Sequence, residues 1–228
     1  MKVSVLIPVY NEAKTVIDVL DLVKNAAFDK EIILVDDGSA DKTRNLLKER
    51  FGNGDENLKI LYHRHNMGKG RAVRTALSHA TGDYIVIQDA DMEYSPASIV
   101  KLAECVRDTG AEAVYGSRFL KTHKSTSFPH FLVNWFLTFL TNILFRCSLT
   151  DMETCYKMVR TDIMRDLDIR AEGFEIEPEI TARLLKKGYA IREMPIIYRG
   201  RGYDEGKKIG WFDGMKAVWV LFRCRFSG

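Results

Sequence analysis

The chain has 228 residues, enough for one sizeable α/β domain with its own core. Apolar residues make up 46% and charged residues 29%, and a net charge of only +3 excludes the bulk basic surface of a nucleic-acid binder. No segment reaches the ~18 uninterrupted apolar residues of a membrane-spanning helix, and Cys105, Cys147, Cys155 and Cys224 form no C-x-x-C pair or cluster with histidine, the pattern of reduced thiols in a cytosolic protein.

The run Lys2-Val3-Ser4-Val5-Leu6-Ile7-Pro8 is too short for a signal sequence and reads as a first buried strand, residues 3–7. Further strands are predicted at 31–35, 58–62 and 84–87, with a short one at 114–115. Helices are predicted between them, at 15–26, 41–51, 70–80 and 96–108, the last opened by Ser95 as cap and Pro96 in the first turn. This alternation implies an α/β fold with a mostly parallel sheet and helices on both faces.

The C-terminal third is more elaborate. A basic and polar stretch, 117–130, precedes a helix at 131–145. Asn134, Thr138, Thr141 and Asn142 form one polar stripe on that helix, and Phe131, Leu132, Trp135, Phe136, Phe139, Leu140, Ile143 and Leu144 lie opposite. Two readings are open: a helix lying in a membrane interface with its aromatic face down, or a buried core helix. Residues 177–187 read as a helix and 191–198 as extended. The stretch 199–208 reads as a mobile glycine-rich loop, and 211–226 as a last amphipathic segment. No linker interrupts the chain, so a single domain is expected over 1–228. Residues 1–116 would form its nucleotide-binding half and 117–228 its acceptor and membrane-facing half.

In an open parallel sheet, ligands bind beyond the carboxyl ends of the strands. There the sequence places Pro8-Val9-Tyr10-Asn11-Glu12, Asp36-Asp37-Gly38-Ser39 and Asp89-Ala90-Asp91. Two carboxylates one residue apart at a strand end suit Mg²⁺ or Mn²⁺, which keep waters and share their shell with phosphates. The same spacing is also common in ordinary turns. Asp37 has two readings, a hydrogen bond to a nucleobase edge or a turn residue, and Ser39 or Asp41 could cap the next helix. Gly68-Lys69-Gly70 is either a phosphate cradle at a helix start or a local turn.

Together with Val35 before Asp36, Asn66-Met67 before the glycines, and Gly82-Asp83-Tyr84, these segments resemble the family 2 glycosyltransferases of the GT-A fold. Gly116-Ser117-Arg118 and the run from Arg201 through Tyr203 to Lys207 resemble the branch that makes dolichyl- or polyprenyl-phosphate sugars. The resemblance covers nearly the whole chain. It implies that Pro8, Tyr10 and Glu12 hold the nucleoside of a nucleotide-sugar donor, Val35 and Asp37 the base, and Asp89 and Ala90 the ribose and metal. Asp91 is then the principal metal ligand. Glu93 stands near the metal where this branch often has Gln. Arg118 would contact phosphate, and Arg201 and Lys207 would close over the donor diphosphate.

The implied reaction is an inverting displacement at the anomeric carbon, with metal and cations stabilising the departing nucleoside diphosphate. A lipid monophosphate, with a second pKa of about 6, needs no strong base. A hydroxyl acceptor would need one, and Asp151 is the candidate, against a reading as a turn residue. The sequence does not give the sugar; GDP-mannose and UDP-glucose are the leading donors. Many relatives continue into membrane-spanning helices where this chain stops, so a peripheral protein on the cytoplasmic face, or one with a membrane-protein partner, is expected. The competing functions are a soluble transferase acting on a sugar or protein hydroxyl, a nucleotide-sugar binding module without turnover, and a nucleotidyltransferase. The last would carry a glycine-rich basic segment where Pro8–Glu12 stands.

Overall fold

The structure, a computed structural model, describes residues 1–52, 54–120, 128–200 and 211–227, with the side chains of 128–130 and 211 set aside. Its first half follows the predicted alternation. Strand β1 (Val3–Val9) leads to helix α1 (Val16–Asn25), β2 (Lys30–Asp36) to α2 (Thr43–Phe51), β3 (Leu58–Tyr62) to α3 (Lys69–Leu77), and β4 (Tyr84–Ile87) to α4 (Ala97–Thr109). Side chains alternate across a strand, yet Val3, Val5, Leu6 and Ile7 of β1 are all fully buried, so both faces of the sheet are covered. Ser95 makes no side-chain cap bond to α4. The helix starts instead on backbone bonds from Ser98 N to Ser95 O and from Ile99 N to Pro96 O.

The second half adds β5 (Ala113–Ser117), α5 (Phe128–Phe145), β6 (Lys157–Arg160), α6 (Thr161–Asp166), α7 (Ile176–Lys186), β7 (Ile191–Pro195) and α8 (Trp211–Phe226). Seven strands form one sheet in the order β3-β2-β1-β4-β6-β5-β7. All neighbours are parallel except β6, which runs antiparallel to both β4 and β5. Strand β6 and helix α6 were not predicted. Met158 and Val159 alone give β6 too short an apolar run to stand out, and its pairing partners are 42 to 76 residues away in sequence.

Because β6 runs backwards, the loop that leads into it (150–156) sits at the carboxyl end of the parallel strands. Tyr156 Oη donates to Gln88 Oε1 at 2.5 Å, just past the end of β4. Helices α5, α7 and α8 pack together around a second apolar cluster that includes Leu137, Met152, Ala182, Val220 and Leu221. No helix among the described residues is long and apolar enough to cross a membrane.

The glycines before and within α3 are packing residues. A Cβ on Gly68 would stand 2.3 Å from Glu172 O, and one on Gly70 2.5 Å from Ala171 O. Gly68 also has φ of +93° and ψ of 156°, a region that side chains avoid. Arg71 N donates to Glu172 O, so the start of α3 is capped by protein backbone, which favours the turn reading over a phosphate cradle. Gly68→Ala should therefore lower the free energy of unfolding by about 3 kcal/mol. Chemical denaturation checks this, and an unchanged midpoint would contradict the packing role.

Candidate active site

The three strand-end segments form one wall through local hydrogen bonds. Asn11 takes a positive φ of 53° after β1. Its N–H donates to Ser39 Oγ at 2.9 Å, and its Oδ1 accepts from Ala40 N at 2.8 Å. Glu12 N donates to Thr43 Oγ1 at 2.9 Å, and Thr15 Oγ1 donates to Ala90 O at 2.7 Å. Pro8 and Val35 face each other in register on β1 and β2. Pro8, Tyr10 and Glu12 are half-buried and Val35 is fully buried.

The two acids that end β2 have separate jobs. Asp36, fully buried, binds Arg44 Nε at 2.6 Å. Asp37 is also buried and accepts from His63 Nδ1 at 2.7 Å, Met67 N at 3.0 Å and Gly68 N at 2.8 Å. It thus ties the segment before α3 to the end of β2, beside the base-binding position the sequence assigned to it. Gly38 is required there: with φ of +70°, its Cβ would lie 2.3 Å from the backbone of His65. Asp41 Oδ1 accepts from Thr43 N at 2.9 Å, so Asp41 is the residue that caps the start of α2.

Past β4, Asp89 and Asp91 are half-buried and Ala90 is buried. Asp91 Oδ1 accepts from Glu93 N at 3.1 Å. Glu93 turns the other way: its Oε2 accepts from Tyr198 Oη at 2.7 Å, and burial, then the Glu93 charge, holds the Tyr198 phenol well above its usual pKa. Asp89, Asp91 and Glu93, the acids the sequence expectation names as metal ligands, thus follow one another past β4, with Glu93 also holding Tyr198. Among the described residues no three acid, histidine or cysteine side chains are gathered closely enough to hold a metal.

Asp89 is paired with a half-buried lysine that sequence reasoning had considered only for phosphate. Lys69 Nζ is 2.7 Å from Asp89 Oδ1 and 2.9 Å from Glu177 Oε1, the latter an ion pair without hydrogen-bond geometry. Burial alone would depress the Lys69 pKa. Asp89, Cys155 and Glu177 outweigh it and hold the pKa well above the usual lysine value. Glu177 Oε2 in turn binds Lys157 Nζ at 2.7 Å, and Lys157 is fully buried. A chain of alternating charge, Asp89–Lys69–Glu177–Lys157, thus runs from the β4 end to the loop before β6.

Arg118 follows β5 and makes a two-pronged pair with Asp151: Nε to Oδ2 and Nη2 to Oδ1, both 2.7 Å, with Arg118 N also on Oδ2 at 2.9 Å. The guanidinium lies 5.3 Å from the Tyr198 ring centre. Burial works against its charge, but Asp151 keeps its pKa well above the usual arginine value. Asp151, the sequence's candidate general base, is fully buried and both its oxygens accept from Arg118, the arrangement of a counter-ion. Two residues on, Glu153 was missed: a single acid in Thr150-Asp151-Met152-Glu153-Thr154 carries no sequence signal that separates it from Asp151. Arg201 and Lys207 lie outside the described residues.

Helix α5 is oriented opposite to an ordinary surface helix. Its polar stripe points inward: Thr138 Oγ1 accepts from Met152 N at 3.1 Å, Thr141 is fully buried, and Asn142 bonds both backbone groups of Leu149. Trp135 and Phe139 are 54% and 48% exposed and stack with ring centres 5.5 Å apart. On α8, Trp219 is 60% exposed, with Phe212, Met215, Phe222 and Phe226 exposed beside it. The core-helix reading of 131–145, which buries Trp135 and Phe139, does not hold.

A mostly parallel sheet with acids at the ends of β1, β2 and β4 is the arrangement of a GT-A glycosyltransferase. The profile of glycosyl transferase family 2 matches residues 4–168, and the chain belongs to that family. It is 29% identical over 227 residues to an undecaprenyl-phosphate mannosyltransferase of Micrococcus luteus, covering 96% of this chain and 92% of that one. It is 28% identical to a dolichol-phosphate mannosyltransferase of Pyrococcus furiosus, covering 98% of this chain and 64% of that protein. Among solved structures, glucosyl-3-phosphoglycerate synthase of Mycobacterium tuberculosis, in complex with Mn²⁺, uridine diphosphate and glucosyl-3-phosphoglycerate, superposes with a TM-score of 0.75. It shares 18% identity, over 98% of this chain and 80% of that one. The same enzyme with Mg²⁺ and uridine diphosphate gives 0.69 at 18% identity, over 98% and 79%.

The Arg118–Asp151 pair makes a direct forecast. Asp151→Ala leaves a buried guanidinium without its counter-charge and should cost about 3–5 kcal/mol of stability. A denaturant midpoint unchanged in Asp151→Ala would return Asp151 to the list of candidate bases.

Proposed function

We propose that the protein transfers a hexose, with inversion, from a nucleotide sugar to a polyprenyl or dolichyl phosphate at a membrane surface. The observation that carries this reading is the outward aromatic face of α5 beside that of α8. Helix α5 begins next to the Arg118 side of the crevice, where Phe119 meets Phe131 edge-on at 5.5 Å. A lipid phosphate cannot leave the bilayer, so the crevice must come to it. Exposed aromatics supply affinity at roughly 25 cal/mol per Å² of apolar surface buried. Arg225 is exposed and free to face headgroups, whereas Arg223 binds Glu179 Oε1 at 3.2 Å and lies over the Trp219 ring, so it contributes less than its charge implies. The names of the two mannosyltransferase relatives agree with the acceptor class.

In this reading Pro8, Tyr10, Glu12, Val35 and Asp37 line the nucleoside site, and Asp89 and Asp91 would hold Mg²⁺ or Mn²⁺ together with the donor diphosphate. Two half-buried carboxylates at one strand end fit such a hard cation, which takes its remaining oxygens from phosphate and water. When bound, the cation would neutralise charge on the leaving diphosphate. Glu93 serves as an anchor for Tyr198 and the strand beyond it. Arg118, held flat by Asp151, presents its Nη1 edge, which Asp151 does not engage, to an acceptor phosphate. No strong base is required for that acceptor, which agrees with the locked state of Asp151.

The test is a donor panel, GDP-mannose and UDP-glucose among others, with polyprenyl phosphate as acceptor and 3-phosphoglycerate as a hydroxyl-bearing control. Lipid-linked sugar on thin-layer chromatography supports the reading. Transfer only to the control would replace it with the soluble transferase.

Two variants sharpen it. Asp91→Asn should cut turnover by about 100-fold or more while keeping the melting temperature, because the amide keeps size and loses the charge a cation needs. Half of normal turnover in that variant sinks the metal assignment. Trp135→Ser combined with Phe139→Ser should keep most of the melting temperature and lose liposome flotation, since both side chains are already about half exposed. Retained flotation would move the membrane contact elsewhere.

A further inference from the structure

We infer that Glu153 is the residue that receives the acceptor phosphate, as a hydrogen-bond donor to one of its oxygens. The inference deepens the proposed function and rests on the lipid-phosphate acceptor.

Three features of position carry it. The loop holding Glu153 lies at the carboxyl ends of the strands, fastened by Thr154 Oγ1 to Gly116 O at 2.6 Å and by Cys155 N to Tyr94 Oη at 3.2 Å. The turn itself is pinned from inside. Lys157 Nζ donates to Met152 O at 3.0 Å and to Thr154 O, the carbonyls on either side of Glu153. A fully buried lysine shared between Glu177 and these two carbonyls is a costly way to build an ordinary turn. Third, Glu153 Oε1 is buried and has no hydrogen-bond partner in the protein. Such an orphan costs about 1–3 kcal/mol in stability and calls for an explanation.

The charge count explains its chemistry. The charged groups around the loop are Arg118 after β5, Lys157 on β6, Glu177 on α7, Asp151 on the loop itself and Glu193 on β7, which accepts from Thr150 N and Asp151 N. Arg118 is matched by Asp151, and Lys157 by Glu177, which Lys69 also bridges toward Asp89. Glu153 is thus a fifth acid, after Asp151, Glu177, Asp89 and Glu193, beside three cations. Burial first, then the nearby charges of Glu177 and Asp151, push its carboxyl up to about 7 against the pull of Lys157 and Arg118. Near neutral pH it is substantially protonated, so it donates. A phosphate dianion arriving beside Arg118 meets a cation on one side and this O–H on the other, whereas a carboxylate there would repel it.

The expected rate profile follows. The acceptor must lose its second proton, at a pKa of about 6, and Glu153 must keep its own, so kcat/KM for the acceptor should form a narrow bell with its alkaline limb near 7. The folded-state pKa is raised, so the proton-linked stability it contributes is full below the ordinary glutamate range and declines as pH rises through about 7.

The experiment uses the full chain, Mn²⁺, the donor selected by the panel and farnesyl phosphate as soluble acceptor, from pH 5.5 to 9. Glu153→Gln, whose amide also donates, should keep kcat/KM within about threefold at the optimum and lose the alkaline limb. Glu153→Ala should raise the acceptor KM by about tenfold or more with donor affinity unchanged. Glu153→Gln as inactive as Glu153→Ala would make Glu153 a base and overturn the inference, as would an alkaline limb that persists in Glu153→Gln. A binding arm separates this from the proposed function. Farnesyl phosphate binding to the nucleotide-loaded protein, by calorimetry, should weaken from pH 6.5 to 8.5 in the wild type relative to Glu153→Gln. That difference without any turnover would sink the proposed reaction and leave the Glu153 site standing. Its absence overturns the site.

Discussion

The structure depends on one run of charge, Asp89–Lys69–Glu177–Lys157, half-buried at Asp89 and Lys69 and buried at Glu177 and Lys157. Each member is needed by its neighbours, because an unpaired ion in this interior would cost several kcal/mol. The run fixes the distance between the end of β4 and the loop before β6, which are linked by no adjacent sequence. It also explains the glycines around Lys69. The lysine reaches both carboxylates only if α3 begins against the backbone of Ala171 and Glu172, and a side chain at Gly68 or Gly70 would hold the two apart.

The reversed strand β6 follows from the same constraint. By entering the sheet between β4 and β5 in the opposite direction, it returns its preceding loop to the carboxyl end of the parallel strands, where Cys155 meets Tyr94 and Ile87 and Asp151 meets Arg118. Asp151 then serves Arg118, Glu177 serves two lysines, and Glu153 is left over. The β4 end and the loop before β6 are thus not independent walls. They share counter-ions, and a change of charge at Asp89 would be felt through Lys69 and Glu177.

Helix α5 has its polar groups turned inward because the 147–152 segment needs them. Thr138 and Asn142 satisfy backbone groups of Met152 and Leu149 that would otherwise be buried without partners. With that stripe committed, geometry sends Trp135, Phe136 and Phe139 outward. The apolar face is therefore a consequence of how the 147–152 segment is held.

Much of this was legible in the sequence. Apolar-rich strands with helical periods between them determined the first half of the sheet, since burial on both faces leaves runs of Val, Leu and Ile in β1 and β2. Acids placed directly after those runs located the crevice, because a parallel sheet puts every such turn at one end. Tertiary structure decided the rest. Strand β6 pairs only with residues far away in sequence, so its short apolar run carried no local signal. The orientation of α5 was undecidable from its two faces alone, because the buried partners of its threonines lie in another segment. Asp151 and Glu153 are chemically alike in sequence, and only the position of one arginine and one lysine made the first a locked counter-ion and the second a carboxyl with an unclaimed oxygen.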